Sequence, residues 1–147
     1  MHTMTDPKQR EYYRHFAQIP TRWADNDMYG HVNNVTYYAY FDTVVNRLLI
    51  ERGWLKPMSD SSIAVVAETQ CRFVASVAFP DVLEIGLSVA RLGRSSVTYH
   101  LGVFRQGETQ IAALGQFVHV YVSAASRLPI AIPEAVRQGL QALTITP

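Results

Sequence analysis

The chain has 147 residues, of which 48% are hydrophobic and 17% are charged, and its formal net charge is +1. This length fits a single globular domain over residues 1–147, and the balance is too apolar for a disordered chain. The near-zero net charge provides no global field that would recruit nucleic acid or an anionic membrane, so neither is expected as a partner.

The only cysteine is Cys71, so the chain cannot form an internal disulfide or a cysteine-rich zinc site. A single thiol suits a reducing compartment. No stretch approaches the ~20 apolar residues of a membrane helix. The first residues, Met1 to Arg14, are polar and charged and lack the apolar segment of a signal peptide. These features predict a cytoplasmic protein.

The first predicted element is a strand over Phe16 to Trp23. A turn-rich stretch follows from Asp25 to Gly30, because Asp, Asn and Gly bond to the local backbone or tolerate positive φ. This stretch separates the strand from the strongest helical pattern in the chain.

That pattern predicts a helix from Val35 to Arg52, with apolar side chains at helical spacing on one arc. Asn33 and Asn34 are both plausible N-caps, and a glycine follows the last helical residue. Tyr40 and Ile50 lie on the polar arc, which a subunit contact would explain.

After the helix the apolar period changes from 3.6 to 2, which predicts strands. Four are expected, over Ser62 to Phe73, Val82 to Leu92, Ser95 to Arg105 and Thr109 to Ser123. Turn signals at Gly93-Arg94 and Gln106-Gly107 predict antiparallel pairing of the last three. Pro133-Glu134 suits the first turn of a short closing helix. One sheet with one long apolar helix is stable when the sheet curls around the helix, which is an α+β architecture.

This order of elements, with Asp27-Met28-Tyr29-Gly30-His31-Val32-Asn33-Asn34 ahead of a Tyr- and Phe-rich helix, resembles the hotdog-fold thioesterases of the 4-hydroxybenzoyl-CoA thioesterase type. The resemblance covers roughly Phe16 to Leu140. It implies a hotdog fold, in which a curled antiparallel sheet of about five strands wraps around one long central helix.

The resemblance also implies an activity, the hydrolysis of an acyl-CoA thioester to the free acid and CoA. It implies no cofactor and no metal, since coenzyme A is part of the substrate, and an acyl carrier protein is an open alternative donor. The family fold further implies a homodimer or homotetramer with the active site at a subunit interface.

In that family the Asp of the motif is the catalytic carboxylate, which corresponds to Asp27. A backbone N–H at the start of the central helix polarises the thioester carbonyl, which points to Asn34 or its neighbour, and the tight glycine of the motif is Gly30. The carboxylate can attack the carbonyl directly or activate a water as general base, and the sequence leaves both routes open.

Each of the other polar candidates has two possible roles, one functional and one structural. His31 can orient a water or bind the substrate carbonyl, and Asn33 can position a water, but each can equally be a turn or cap residue. Glu68 lies in the middle of a strand and either faces the active site across the interface or points to solvent. Tyr37 lines the acyl pocket or packs in the core.

The turn after the third strand carries a basic and hydroxylated cluster, Arg91, Arg94, Ser95 and Ser96. Arginine forks match phosphate geometry, and in the family this region often contacts the nucleotide of CoA. The alternative is a solvated hairpin turn.

Two other functions use the same fold. A non-catalytic acyl-thioester or lipid-binding protein would keep the apolar pocket without needing an ionised Asp27. A hydratase or dehydratase resembles a different motif, with its catalytic Asp and His on the central helix, whereas His31 precedes the helix here. A serine-hydrolase elbow is excluded, because the chain contains no G-x-S-x-G.

Overall fold

The computed structural model describes residues 6–56, 58 and 60–145. One strand and one long helix are followed by four strands and a short helix. These elements are β1 (His15–Pro20), α1 (Asn34–Glu51), β2 (Ser62–Phe73), β3 (Val82–Leu92), β4 (Ser96–Arg105), β5 (Ile111–Ser123) and α2 (Glu134–Gln141). Short 3-10 turns at Arg10–Tyr12 and Trp23–Asp25 flank β1.

The five strands form one antiparallel sheet in the order β1-β3-β4-β5-β2. α1 lies against one face of this sheet, where the Phe41 ring covers Gly115 so closely that a Cβ there would lie 2.5 Å from it. The sheet curls around α1, which confirms the predicted hotdog fold. β2 is an edge strand, so one side of its backbone has no neighbour among the described strands.

The core between the sheet and α1 follows the predicted alternation. The side chains expected to share one face of β3 and β4 are all 0% exposed: Leu83, Ile85, Leu87, Val89, Val97, Tyr99, Leu101 and Val103. They meet the apolar arc of α1, whose central residues Phe41, Val44 and Val45 are equally buried. Burial of this shared surface is the main stabilising term of the fold.

The structure corrects the predicted bounds of several elements and the expected contact of Tyr40. β5 begins at Ile111, two residues later than predicted, and the bounds of α1 and β4 shift by one residue. β1 ends at Pro20, three residues earlier than predicted, because Trp23 to Asp25 turn into a 3-10 helix. Tyr40 does not need a subunit contact, since it is 6% exposed and its hydroxyl donates a hydrogen bond to Asp25 within the same chain. Ile50 is 48% exposed, as the predicted polar arc implies.

The outer face of the sheet carries a second, smaller cluster that the sequence analysis missed. Tyr12 and Tyr13 pack there against Phe104 and Ile111. A Cβ on Gly102 would lie 2.5 Å from the Tyr13 ring, so glycine is required for this close approach. The segment before β1 therefore covers the outer face, which explains the apolar residues on both sides of β5.

Candidate functional site

The residues between β1 and α1 form a closed loop. Asn26 and Val32 pair as an isolated antiparallel bridge. Inside it, the Asp27 N–H donates to the His31 carbonyl at 2.9 Å, and the Gly30 N–H donates to the Asp27 carbonyl at 3.1 Å. Gly30 has a φ of +82°, which a residue with a side chain rarely adopts. The loop is thus held by its own backbone and presents Asp27 in a defined orientation.

The Asp27 carboxylate uses one of its oxygens structurally. Oδ1 accepts the Tyr29 N–H at 2.9 Å, an Asx turn. No hydrogen bond to Oδ2 is made by any residue that the structure describes. The side chain is half-buried and lines a groove. One oxygen therefore orients the carboxylate while the other remains available for chemistry.

The start of α1 supplies a hydrogen-bond donor to the same groove. Asn33 is the N-cap, and its Oδ1 accepts the Val35 N–H at 3.0 Å. The Thr36 N–H donates to the Asn33 carbonyl at 2.9 Å. The Asn34 N–H, by contrast, has no acceptor within the described ranges. A free N–H at the positive end of a helix is suited to hold a developing oxyanion.

A groove of about 390 Å³ brings these groups together. It is lined by Asp27, Val32, Asn34, Tyr37, Phe73, Val74, Ala75 and Ser76. Three of the site residues predicted from the sequence lie here: Asp27, Asn34 and Tyr37. Burial raises the pKa of Tyr37 to about 12, so its phenol is neutral near pH 7.

The segment after β2 forms the far wall of the groove, and the sequence analysis did not identify it. The Val32 N–H donates to the Val77 carbonyl at 2.8 Å, and Asn26 Oδ1 accepts the Phe79 N–H at 3.0 Å. These bonds tie the wall to the Asp27 loop. No local sequence signal marks these residues, because only the path of β2 across the sheet brings them to the site.

Other predicted residues lie around or away from the groove. His31 is exposed and does not line it. Asn33 is the N-cap of α1, so its side chain has the structural role that was one of its two predicted roles. A role of either side chain in positioning water remains a prediction.

Glu68 lies on the outer face of the sheet. Its Oε1 accepts hydrogen bonds from the side-chain amides of Gln70 at 3.3 Å and Gln116 at 3.1 Å. Because Gly115 faces α1, alternation along β5 turns Gln116, and with it Glu68, to the opposite side. Within one protomer this placement favours the solvent-facing alternative for Glu68.

The basic turn lies at the opposite end of the sheet from Asp27. β3 has 11 residues, which at ~3.3 Å per residue separate its two ends by roughly 35 Å. Asp27 follows β1, which pairs with β3 at its Val82 end, whereas Arg94 to Ser96 follow the Leu92 end. Arg91 and Arg94 are exposed, and the turn is anchored by Arg137, whose side chain donates to the Gly93 carbonyl at 2.6 Å. A single protomer does not bring this turn to the groove.

Asp25 has a structural role beside the site. It is 2% exposed, and its carboxylate accepts hydrogen bonds from the Tyr40 hydroxyl at 2.7 Å and from the Arg22 N–H at 2.9 Å. Burial alone would raise the pKa of Asp25, but these hydrogen bonds and the Arg22 guanidinium outweigh it and hold the pKa below its ordinary 3.8. Its carbonyl accepts the Asn33 N–H at 2.9 Å, so the network also supports the start of α1.

Replacing Tyr40 by Phe is expected to lower the free energy of unfolding by about 1.5–3 kcal/mol at neutral pH, because it removes a hydrogen bond to a buried carboxylate. The folded-state pKa of Asp25 is depressed, so this contribution is present above the unfolded pKa and disappears as pH falls through the folded value. Urea unfolding at neutral pH and at a series of successively lower pH values measures it.

The matched control is Tyr38→Phe, since Tyr38 lies on the same helix and is only half-buried. An equal loss in the two variants, or a loss in Tyr40→Phe that persists undiminished at acid pH, would contradict the assigned role of the Asp25 network.

Within residues 6–56, 58 and 60–145, no group of three or more His, Cys, Asp or Glu side chains could hold a metal ion. No helix in this part of the chain is long and apolar enough to cross a membrane.

Comparison of the sequence with known proteins assigns the chain to a family. The thioesterase-like superfamily matches residues 21–140 of the chain. An uncharacterized protein of Bacillus subtilis strain 168, YsmA, is 35% identical over 114 residues, which cover 76% of this chain and 74% of that protein.

Solved structures agree in fold. The PA5185 protein of Pseudomonas aeruginosa strain PAO1 is 53% identical, with a TM-score of 0.91 over 94% of this chain and 96% of that one. Slr0204, a 1,4-dihydroxy-2-naphthoyl-CoA thioesterase from Synechocystis, has a TM-score of 0.79 at 15% identity, covering 87% of this chain and 96% of that one. At that identity the likeness shows the shared fold alone.

Proposed function

This chain belongs to the thioesterase-like superfamily, and from that premise we propose that it hydrolyses acyl-CoA thioesters in the cytoplasm with Asp27 as its catalytic carboxylate. The observation that carries the proposal is the groove in which the Asp27 side chain and the start of α1 meet. Asp27 has an oxygen without a partner among the described residues, and Asn34 has a free N–H there. A nucleophile or base and an oxyanion donor are the two groups that thioester hydrolysis needs.

In the proposed reaction the thioester carbonyl oxygen accepts the Asn34 N–H. Asp27 Oδ2 then attacks the carbonyl carbon, and the C–S bond breaks to give a mixed anhydride and CoA thiolate. Water later hydrolyses the anhydride to the free acid and restores the Asp27 carboxylate. In the alternative route Asp27 removes a proton from a water that attacks the same carbon. Since a thiolate leaves readily, neither route needs a strong acid, a cofactor or a metal. An oxyanion donor of this kind is worth roughly 3 kcal/mol on the barrier.

We further propose that the protein works as a homodimer, or as a tetramer of such dimers, joined through β2. The stretch from Val66 to Gln70 on this edge strand is exposed, and such an edge is a template for pairing with another strand. A two-fold axis perpendicular to the sheet pairs β2 with its own copy in antiparallel direction. Both α1 helices then lie on the same side of one continuous sheet.

This pairing also relates the basic turn to a groove. Antiparallel alignment places the start of the partner's β2 beside the end of the first protomer's β2, and therefore beside the Asp27 groove. The partner's turn at Arg94 to Ser96 lies at that same end of its sheet. We propose that this turn, with Arg91, meets the CoA phosphates across the interface.

Thiol release from a panel of acyl-CoAs, read with a thiol-reactive dye, tests the proposed function. We expect release from at least one acyl-CoA, and the same acyl groups on a carrier protein show whether CoA is the preferred donor. If calorimetry detects binding of acyl thioesters but no thiol is released from either donor, the protein is a non-catalytic acyl-thioester binder, and the proposed function is wrong.

A further inference from the structure

A second cavity, more enclosed than the groove, lies at the other end of α1. Its volume is about 190 Å³. The last turns of α1, the first residues of β2 and the end of β5 form its walls, together with Trp54, Leu55 and Asp60 from the chain between α1 and β2. Its largest lining side chains are Leu49, Trp54, Leu55 and Tyr121, and Asn46 and Asp60 add polar groups.

This cavity cannot serve the groove of its own protomer. α1 has 18 residues, which at 1.5 Å per residue separate its two ends by about 27 Å. The groove adjoins the first turn of α1, and the cavity adjoins the last. An acyl group bound at Asp27 would have to run along the whole packed helix to reach it.

The cavity of a second protomer is much nearer. If the two-fold axis passes through the exposed stretch from Val66 to Gln70, Phe73 on the groove wall lies across from the partner's Ile63 and Ala64. Both of those residues line the second cavity. Paired strands are only ~4.8 Å apart, so groove and cavity become neighbours across the interface.

Resting on the proposed function, we propose that this cavity receives the distal part of the acyl group held at the partner's Asp27, and that Trp54 limits the length of that group. An apolar cavity of roughly 150 Å³ holds a benzene ring. By that measure, about 190 Å³ holds roughly six to eight carbon atoms, as a chain or as one aromatic ring. The favoured substrates therefore carry a chain segment or a ring of this size beyond the carbons that span the groove.

Trp54 is suited to set this limit because its backbone is fixed and its ring lies next to Arg52 and α2. Its backbone N–H donates to the Leu49 carbonyl at 2.8 Å, and the Arg52 guanidinium lies 5.6 Å from its ring centre. On α2, a Cβ at Gly139 would lie 1.8 Å from the indole. The absence of a side chain at Gly139 thus leaves the space that the indole occupies.

Two substitutions should move the chain-length preference in opposite directions. Trp54→Ala removes a ring system larger than benzene, so we expect the acyl-CoA chain of highest kcat/KM to lengthen by at least about four carbons. Gly139→Ala forces the indole away from α2, and we expect the preferred chain to become shorter. Thiol release from straight-chain acyl-CoAs, acetyl to palmitoyl, together with benzoyl- and phenylacetyl-CoA, measures the profile.

The control is Leu140→Ala, which removes a fully buried side chain of α2 that does not line the cavity. It should lower stability without moving the profile. If Gly139→Ala does not fold, Leu55→Trp fills the cavity from its own lining and should likewise shorten the preferred chain.

The outcomes separate this inference from the proposed function. Absence of thiol release from every acyl-CoA by the wild-type protein would contradict the proposed function. Release that persists in Trp54→Ala with an unmoved profile, or a profile that Leu140→Ala moves as far, overturns the assignment of the cavity alone.

Discussion

Replacing Asp27 by Asn is expected to lower kcat/KM for acyl-CoA hydrolysis by more than about a hundredfold. An amide is not a nucleophile for a thioester and does not remove a proton from water, so both proposed routes fail. The substitution is nearly isosteric, and the amide oxygen can still accept the Tyr29 N–H that Asp27 Oδ1 accepts in the wild type. The loop, and with it substrate affinity, should therefore be preserved.

Steady-state thiol release by the two proteins measures the effect. Glu134→Gln is the matched control, because it makes the same chemical change at an exposed position in the first turn of α2, and it should leave activity unchanged. An Asp27→Asn protein that retains near wild-type activity would show that another group performs the chemistry.

A rapid acid quench of the wild-type reaction, followed by mass spectrometry of the protein, separates the two routes. An acyl adduct on the peptide containing Asp27 indicates direct attack by the carboxylate. If no adduct accumulates although a pre-steady-state burst of thiol is seen, attack by Asp27 is contradicted and the water route is favoured.

Replacing Thr69 by Lys is expected to break the dimer and to lower kcat/KM by more than about tenfold, which corresponds to about 1.4 kcal/mol. Thr69 lies in the exposed stretch of β2, close to the proposed two-fold axis. Two lysines brought together there repel each other, and edge lysines are a common means of preventing strand pairing. A monomer would lack the partner's cavity and basic turn.

Light scattering coupled to size-exclusion chromatography measures the mass, and activity is measured over a range of protein concentrations. Activity of the variant should rise with concentration as dimers re-form. Thr109→Lys, which adds the same charge at an exposed position between β4 and β5, should remain dimeric. A Thr69→Lys protein that stays dimeric would disprove pairing through β2, and a fully active monomer would disprove the shared site.

The candidate site was predictable from the sequence only in part. The stretch from Asp27 to Asn34 is contiguous, so its turn residues, cap and helix start act on one another locally and leave a readable pattern. The wall formed by residues 73–76 is distant in sequence and carries no motif. It reaches the groove because β2 runs along the edge of the sheet beside β5, with a β-bulge between Val66 and Glu68, and local patterns do not report this path.

The sequence by itself determined the elements and the faces they bury. Apolar period fixes which side of a strand or helix must leave water, and the observed bounds of β3 match the predicted ones for that reason. The bounds of β2 also match, although they were predicted from its Val and Ala content. Only the tertiary structure decided what covers each face. Tyr40 lies on the polar arc of its helix and is buried because its hydroxyl donates to Asp25, and Tyr13 covers the outer face of β5 at Ile111. The periodicity of apolar residues indicates which surface is buried. Long-range packing and hydrogen-bond geometry determine which residues bury it.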